Sequence, residues 1–473
     1  MNTLTRRRLA SLAVAPAVGA LAACAQSGST PASNGGASGP AGAVRGKLTW
    51  LVRGNQNEND WQQNVALPKM KELHPQVEIE LVVASPDVAW DEKVFSLHAG
   101  GTPPDVHNGI VGTFIQLYAQ DKLLELTPLV ARDKVDLKPF GGSERDADMC
   151  RGGKQWALPI LSALTIITYY NITLFEQAGV ALPPTSWEDK TWTWDRLIEA
   201  GRKTTQRWGE QDAVYGYLPD AIGGNFMHAM PYTWGADPWP KEFYAQGIAQ
   251  QSNWTAGPVV EATQAYQDLA LKHRIAPRQG AARRAFREGG ASMWTTLSWS
   301  VFQTMRDVSL FKWSMAPLPR QAANKAIGFV DCVLASNQSK APDAAWQLVK
   351  YLTSKDGQQD YSRATLAPPA RLDVLDTWLD ALLKLPGATF KSRDALRDVI
   401  SGYQRNYVDN WAHYVVDAGR FQTLHRDANT ALLSGQANAA SVLTDMKTKV
   451  DTQLKETYER FKGTRLVRDT LCQ

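Results

Sequence analysis

The sequence predicts an α/β fold, in which strands and helices alternate along the chain. Between residues 47 and 107, short runs of branched apolar residues alternate with segments whose apolar residues follow a helical period. The alternation restarts after Lys154, and the last third of the chain carries helical stripes. Such alternation is typical of βαβ units around a mainly parallel sheet. The chain from residue 45 onward is long enough for two ordinary domains.

The first predicted elements flank a polar loop. Lys47–Val52 has the pattern of a strand, Arg53–Asp60 is polar, and a helix is expected from Trp61 to about Leu73. Further strands are expected at Val77–Val83, Asp105–His107, Gln155–Pro159, Leu164–Tyr170, Ala291–Thr295 and Ile327–Ala335, and further helices at Ala89–Ala99, Thr193–Gln206 and Pro258–His273.

The middle and the end of the chain differ in composition. Tyr217–Trp254 is rich in Gly, Pro, Trp and Tyr, which predicts loops and short helices over a cleft, with an irregular packed segment as the alternative. The final third carries apolar stripes around residues 345–352, 421–432 and 442–454, and Gly435 is placed to end the second of these helices.

The first 45 residues have the pattern of an export signal. Arg6–Arg8 precede an apolar run, Leu9–Ala22, which is too short to cross a bilayer and ends in small residues before Cys24. This ending resembles the lipobox of bacterial lipoproteins, which implies acylation of Cys24; a plain cleaved signal is the alternative. The arginines resemble a twin-arginine signal, although they also suit an ordinary signal. Residues 25–44 are uncharged and predict a flexible tether.

Charge and cysteine content exclude several classes of protein. From residue 45 onward the chain has 48 basic and 47 acidic residues, and no basic run indicates nucleic-acid binding. Four cysteines are too few for a disulfide scaffold. A Cys150–Cys332 bridge and unpaired thiols both remain open. No cysteine and histidine cluster has metal-ligand spacing, and we expect neither a cofactor nor a later membrane segment.

Tryptophan is unusually frequent. The chain has 17 Trp against 13 Phe and 14 Tyr. A tryptophan ring offers a flat apolar face that suits the C–H faces of sugars, and its N–H can donate a hydrogen bond. Each single tryptophan is more readily explained as a core residue, but the excess of tryptophan favours a surface that binds carbohydrate.

A series of short motifs runs in order along most of the chain after the first 45 residues. These segments are Gly100–Val106, Tyr118–Pro128, Trp156–Pro159 with Tyr169–Asn171, Phe175–Gly179, Pro183–Pro184, Trp194, Phe286–Met293 with Trp299, Ala316–Pro319, Gly328–Phe329, Ala335–Ser336, Lys340–Trp346 and Thr353–Gly357. In this order they resemble the family 1 bacterial extracellular solute-binding proteins of ABC importers, which include maltose-binding proteins.

The resemblance implies a hinged, type II periplasmic-binding-protein fold with two α/β lobes and a ligand cleft between them. Mapped onto this chain, lobe 1 takes residues 45–157 and 333–370, and lobe 2 takes residues 158–332 and 371–465. The lobes would close on solute by a hinge motion, and permease subunits would receive the closed form. The protein is expected to be a monomer outside the cytoplasm, held to the cell membrane through lipid on Cys24.

The resemblance and the expected ends of the strands predict which residues bind the ligand. Trp299 matches the family's ring-stacking tryptophan, with a core residue as the alternative. The loop after the first strand lies where open α/β sheets bind ligands, although a solvated turn fits equally well. Asn108 follows the third strand in the same way. The loop candidates are Arg53, Asn55, Gln56 and Glu58.

Further candidates depend on position in the family pattern. Ser162 and Thr165 precede Tyr169–Asn171, near a contact region of the family. Asp331 lies beside the second crossing between lobes, where it could accept from hydroxyls or cap a strand. The secondary aromatics, each with a core position as the alternative, are Trp90, Trp234 and Trp294.

Other functions stay open at this point. A secreted hydrolase of carbohydrates would need two opposed carboxylates, and no pair of acids can be placed across a cleft from the sequence. The chain has no G-x-S-x-G, no H-E-x-x-H, no phosphate loop with G-K-S/T and no G-x-G-x-x-G. A sensor that presents solute to a receptor would use the same fold. Glycerol 3-phosphate or a glycerol phosphodiester is the alternative solute, because Arg53 could bind phosphate.

Overall fold

Two long antiparallel strands, Ala157–Asn171 (β6) and Ala326–Ala335 (β10), run through a nine-stranded sheet and join its two halves. The computed structural model describes residues 44–85, 89–140, 149–219, 225–408, 411, 414–464 and 466. The other strands in that part of the chain are Gly46–Val52 (β1), Val77–Val83 (β2), Val106–Ile110 (β3), Cys150–Arg151 (β4), Lys154–Gln155 (β5), Leu218–Pro219 (β7), Met293–Leu297 (β8), Trp313–Ala316 (β9) and Tyr407–Val408 (β11).

The first half of the sheet has the order β2–β1–β3–β10–β6. β1 pairs in parallel with β2 and β3, so that Leu48 lies opposite Ile79 and Trp50 opposite Val106. β10 then runs antiparallel to β3, with Asp331 opposite Ile110. Alternate residues of a strand point to the same face of the sheet, so Leu48, Trp50 and Val52 of β1 all enter one apolar core under the covering helices.

The second half of the sheet forms around the far end of β6. Residues 166–170 of β6 pair antiparallel with β8, residues 168–171 pair antiparallel with β9, and β7 lies parallel to β8. β10 continues into this half, where its register against β6 shifts between Phe329 and Cys332. Such shifts bend a strand locally. The chain therefore passes between the halves along two continuous strands.

Helices cover both halves. In the described part of the chain they are Gln56–Trp61 (α1), Leu67–Leu73 (α2), Trp90–Ala99 (α3), Val111–Ala119 (α4), Thr127–Asp133 (α5), Ile172–Gln177 (α6), Trp194–Thr204 (α7), Asn225–Thr233 (α8), Lys241–Gln246 (α9), Gly257–Leu271 (α10), Pro342–Leu352 (α11), Lys355–Thr365 (α12), Leu375–Leu382 (α13), Arg393–Ser401 (α14), Ala418–Ser434 (α15) and Ala439–Phe461 (α16). π-Helical turns lie at Gln62–Ala66 and Val301–Met305, and 3-10 turns at Lys138–Phe140, Phe286–Glu288, Leu372–Val374 and Gly402–Asn406.

The tryptophans mostly fill the core. Twelve of the 17 are buried, and the other five are partly exposed. Trp239 stacks on Trp411 at 5.6 Å between ring centroids, and Trp346 and Trp378 are fully buried. The excess of tryptophan is therefore explained largely by packing. The partly exposed five are Trp90, Trp156, Trp208, Trp234 and Trp299.

Most predicted elements are confirmed, but the prediction of a mainly parallel sheet is wrong. β6 and β10 pair antiparallel with each other, and β6 is also antiparallel to β8 and β9. The two strands expected within residues 155–170 are one continuous strand. The sequence suggested an interruption because Pro159 has no backbone N–H to donate to a neighbouring strand.

One loop prediction is corrected, and one alternative that the sequence left open is supported. The polar loop after β1 is helical from Gln56 onward, because the Asn55 side chain accepts a hydrogen bond from the Asn57 backbone N–H and caps α1. The described part of the middle segment contains short helices, α8 and α9, as predicted, and it packs into the core as in the alternative that the sequence left open. Trp239, Phe243 and Trp254 are all buried there.

The cysteines do not form the bridge that the sequence left open. Cys332 is a buried free thiol in β10, whereas Cys150 is disulfide-bonded. The partner of Cys150 lies outside the described residues. Cys24 and the predicted signal and tether also lie outside them. None of the described helices is long and apolar enough to cross a membrane. The predicted lobe boundaries stay predictions.

Candidate functional site

A charged network lies where β1 ends, and it reaches past β3 to β10. The Arg53 guanidinium donates to the Asp331 carboxylate at 3.0 Å, although the two residues are 278 positions apart. Arg53 also lies over the ring of Trp90, at 5.4 Å from its centroid. Arg53 can reach both groups because β1 delivers it to the carboxyl edge of the sheet.

Glu58 extends this network from the first turn of α1. It is buried, and its carboxylate accepts a hydrogen bond from the Tyr361 hydroxyl at 2.5 Å. Burial raises the pKa of the Glu58 carboxyl, while the positive charge of Arg53 opposes that rise. Burial lowers the pKa of Arg53, but Asp331 and Glu58 outweigh it and raise that pKa. Arg53 is therefore a cation already balanced by the protein's own carboxylates.

An acid that the candidate set omitted lies beside this network. Asp91, in the first turn of α3, accepts a short hydrogen bond from the Thr113 hydroxyl. Burial raises the pKa of Asp91, and Arg53 partly offsets the effect. Asp91 and Tyr361 carried no sequence signal of their own, since neither belongs to a motif. Only their positions on α3 and α12 bring them to the end of β1.

Trp299 follows β8 and contacts the packed side chains of both sheet halves. It packs on the cluster that contains Val301 and Trp313, and also on the cluster that contains Trp61 and Tyr361. Its Nε1 atom is buried, and the described residues offer it no hydrogen-bond acceptor. A partly exposed ring with an unsatisfied donor is suited to stacking on a ligand and donating to it.

Asn108 and Thr165 have different surroundings. Asn108 is buried, its backbone oxygen accepts from Trp90 Nε1 at 3.2 Å, and its Oδ1 atom has no donor among the described residues. Thr165 is also buried, and its hydroxyl donates to the Ile327 backbone oxygen at 2.9 Å. Its backbone N–H donates to Ser298 Oγ at 3.2 Å. Thr165 therefore holds the segment before Trp299, and its hydroxyl is already used.

The structure brings only some of the sequence candidates together. Arg53, Glu58 and Asp331 form the network, and Asn55 and Gln56 begin α1 beside it. Gln56 is exposed, and its side-chain amide donates to Asp60 at 2.7 Å. The Ser162 side chain is outside what the structure describes.

Two tryptophans of the candidate set lie elsewhere. Trp294 is buried between Phe286 and Tyr169, with ring centroids at 5.7 Å and 5.4 Å, and is a core residue. Trp234 packs against Trp194 with tilted rings, at 5.5 Å between ring centroids, and lines a separate cavity of about 580 Å³ between α7 and α10. The sequence analysis ranked both below Trp299, and Trp294 takes the core position that it gave as the alternative.

Within the described residues, no group of three or more His, Cys, Asp or Glu side chains could hold a metal ion. The site therefore consists of a balanced charge network, one aromatic face that contacts both sheet halves, and unsatisfied polar atoms. Such a set suits the binding of a polar solute with apolar faces.

A family model described as bacterial extracellular solute-binding protein matches residues 67–387. The chain belongs to this family. A Brucella abortus protein described as a binding protein is 22% identical to this solute-binding protein over 220 residues, which are 45% of this chain and 49% of that protein. The chain thus spans about half the length of the curated relatives it matches.

Solved structures show that the fold is the two-lobed, type II one. An ABC substrate-binding protein of Listeria monocytogenes, in complex with cycloalternan, has a TM-score of 0.71 and 17% identity over 87% of this chain and 99% of its own. UgpB of Mycobacterium tuberculosis, in complex with glycerophosphocholine, has a TM-score of 0.70 and 14% identity over 88% and 99%. Maltose-bound MalE3 of T. maritima has a TM-score of 0.67 and 20% identity over 87% and 99%.

Proposed function

We propose that this solute-binding protein captures a carbohydrate between its lobes and delivers it to an ABC importer, without catalysing a reaction. The observation that carries the proposal is Trp299, whose ring contacts both sheet halves and keeps an unsatisfied N–H. A sugar ring would stack on its face, and a hydroxyl would accept from Nε1. Ligand contacts to both lobes would favour the closed state.

The charge network favours a neutral solute. Arg53 already donates to Asp331, and Glu58 and Asp91 lie within its electrostatic reach. A phosphate would have to share the guanidinium with Asp331 and would approach three carboxyl groups. A sugar hydroxyl can donate to these carboxylates without breaking the ion pair. The solved relatives that hold cycloalternan and maltose are consistent with this choice.

A glycerol phosphodiester is the second candidate, because the relative that holds glycerophosphocholine is as similar in fold as the sugar-bound ones. Thermal unfolding with each ligand separates the two. A ligand that binds only the folded state raises the free energy of unfolding, by about 2.7 kcal/mol when its concentration is one hundred times its Kd. The melting temperature rises as a result. We expect a shift with a malto-oligosaccharide or another neutral sugar. A shift with glycerophosphocholine and none with any sugar would overturn the proposal.

The anchor and the absence of catalysis are part of the same proposal. Acylation of Cys24 would hold the protein at the cell membrane beside its permease, after export through a signal in residues 1–24. Mass spectrometry of the membrane-extracted protein should find a lipid on Cys24. Incubation of sub-stoichiometric protein with the bound sugar should return the sugar unchanged, and turnover would refute the binding-only role.

A further inference from the structure

An arginine-rich surface lies on the second half of the molecule, away from the charge network of the candidate site. Segments 202–212 and 268–288 carry nine cationic and four carboxylate side chains. The rest of the chain from residue 45 carries 39 cationic and 43 carboxylate side chains and is net negative. We call the nine cations the arginine surface: Arg202, Lys203, Arg207, Lys272, Arg274, Arg278, Arg283, Arg284 and Arg287, all of them exposed.

Trp208 holds the centre of this surface in place. Its ring lies 5.5 Å from the Arg274 guanidinium carbon and 5.0 Å from that of Arg278, and its Nε1 donates to the Ala276 backbone oxygen at 2.9 Å. Cation–π contacts of this kind order guanidinium groups while their N–H donors stay available. The partly exposed ring thus preorganises two arginines.

The backbone that carries these side chains is also fixed. The Tyr215 hydroxyl donates to the Ala282 backbone oxygen at 3.2 Å, and the Gln279 N–H donates to the Leu433 oxygen at 3.2 Å. Arg207 and Arg274 both have left-handed backbone conformations, with φ of 48° and 55°. These left-handed residues mark defined turns, and Arg207 also forms an ion pair with Asp212 close by in the sequence.

The side-chain composition of the arginine surface indicates the chemistry of its binding partner. Protein interfaces are enriched in arginine, but they place it around an apolar centre with several aromatic anchors. None of the exposed large hydrophobic side chains of the described chain belongs to the arginine surface, which offers guanidinium groups and the edge of one tryptophan. Planar guanidinium groups suit phosphate oxygens, and tryptophan is favoured at the boundary between lipid and water.

We propose that the arginine surface docks this protein on anionic phospholipid headgroups of a membrane. The docking is electrostatic and is separate from solute binding, because the surface contains none of the residues of the charge network. It would orient the body on the bilayer, whereas a flexible tether only limits its distance.

Co-sedimentation of the folded body, from residue 43 onward, with vesicles tests the proposal. We expect binding to phosphatidylcholine vesicles that contain about 30% phosphatidylglycerol, release by added NaCl, and no binding to phosphatidylcholine alone. The test variant replaces four arginines by glutamine, and binding should weaken at least about tenfold. These substitutions are Arg274→Gln, Arg278→Gln, Arg283→Gln and Arg284→Gln.

A matched variant removes the same charge from exposed positions elsewhere and should keep vesicle binding within about threefold. Circular dichroism and sugar binding should be unchanged in both variants. Equal loss in both would show that net charge alone acts and would overturn the proposal. Binding to polyglutamate without binding to anionic vesicles would assign the surface to an acidic protein instead. The control substitutions are Lys71→Gln, Lys340→Gln, Arg363→Gln and Lys384→Gln.

Discussion

At the scale of single residues, Trp299 and Arg53 have complementary roles. Trp299 presents an aromatic face and an unsatisfied N–H, whereas Arg53 is neutralised by Asp331 before any ligand arrives. A partly buried ion pair of this kind is costly to break, since removal of one partner leaves the other charge poorly solvated. The network is therefore better suited to hold hydroxyls in a fixed orientation than to attract an anion.

The first prediction concerns Trp299. Trp299→Ala should weaken sugar binding by about tenfold or more, because it removes a stacking face and a hydrogen-bond donor. Calorimetric titration gives the affinity, and circular dichroism should show an unchanged fold. Trp234→Ala is the matched control, since this tryptophan is also partly exposed but lines the separate cavity. Equal affinity in wild type and Trp299→Ala would remove Trp299 from the site.

At the scale of elements, close packing between a helix and a turn shapes the second half of the molecule. Gly216 lies against α7 so tightly that a Cβ atom there would be 2.2 Å from the Gly201 backbone oxygen. The Gly216 N–H also donates to the Thr205 hydroxyl at 3.0 Å. No side chain fits between these backbones, so that β7 and α7 depend on a glycine at this position.

The second prediction follows from this contact. Gly216→Ala should lower the free energy of unfolding by about 3 kcal/mol, because the helix or the turn must move to make room. Gly419→Ala serves as the control: Gly419 lies in the first turn of α15 with no atom near its Cβ position. That change should be neutral or should stabilise by up to about 1 kcal/mol. Chemical denaturation measures both, and similar stabilities would contradict the packing argument.

At the scale of the whole molecule, buried histidines link stability to pH. His98 and His107 lie against each other at 5.7 Å between ring centroids, and His425 packs between Trp254 and Trp411. Burial lowers the pKa of His98 to about 4, and it lowers the pKa values of His107 and His425 to about 3. The neighbouring Lys122 also lowers the pKa of His98.

The third prediction is a loss of stability in mild acid. These histidines bind protons more weakly in the folded state than in the unfolded state. Their contribution to the free energy of unfolding is therefore full above about pH 6.5 and falls as the pH drops toward 3. At pH 5 each histidine should lower the free energy of unfolding by up to about 2 kcal/mol relative to pH 7. Urea denaturation at pH 7 and at pH 5 measures this loss, and equal stability at the two values would contradict it. His107→Gln should reduce the difference.

Much of the fold followed from local patterns in the sequence. The strands β1 and β2 and the helices α3 and α10 lie where alternation and helical periodicity placed them, and Gly435 ends α15 with a left-handed φ of 74°. These features depend on neighbouring residues, whose preferences act over a few positions. The order of the motifs also indicated the family.

The tertiary structure decided what depends on distant contacts. Arg53 meets Asp331 across 278 positions and Tyr361 reaches Glu58 across 303, and no periodicity predicts such pairs. The antiparallel pairing of β6 with β10 also depends on contacts between residues far apart in the sequence, and no local pattern predicted it. Composition predicted an aromatic surface, yet twelve tryptophans proved to be core, since an aromatic side chain has the same chemistry in a core and in a site. Sequence alone determined the family and the local elements; only packing showed that Trp299 is the tryptophan that contacts both sheet halves.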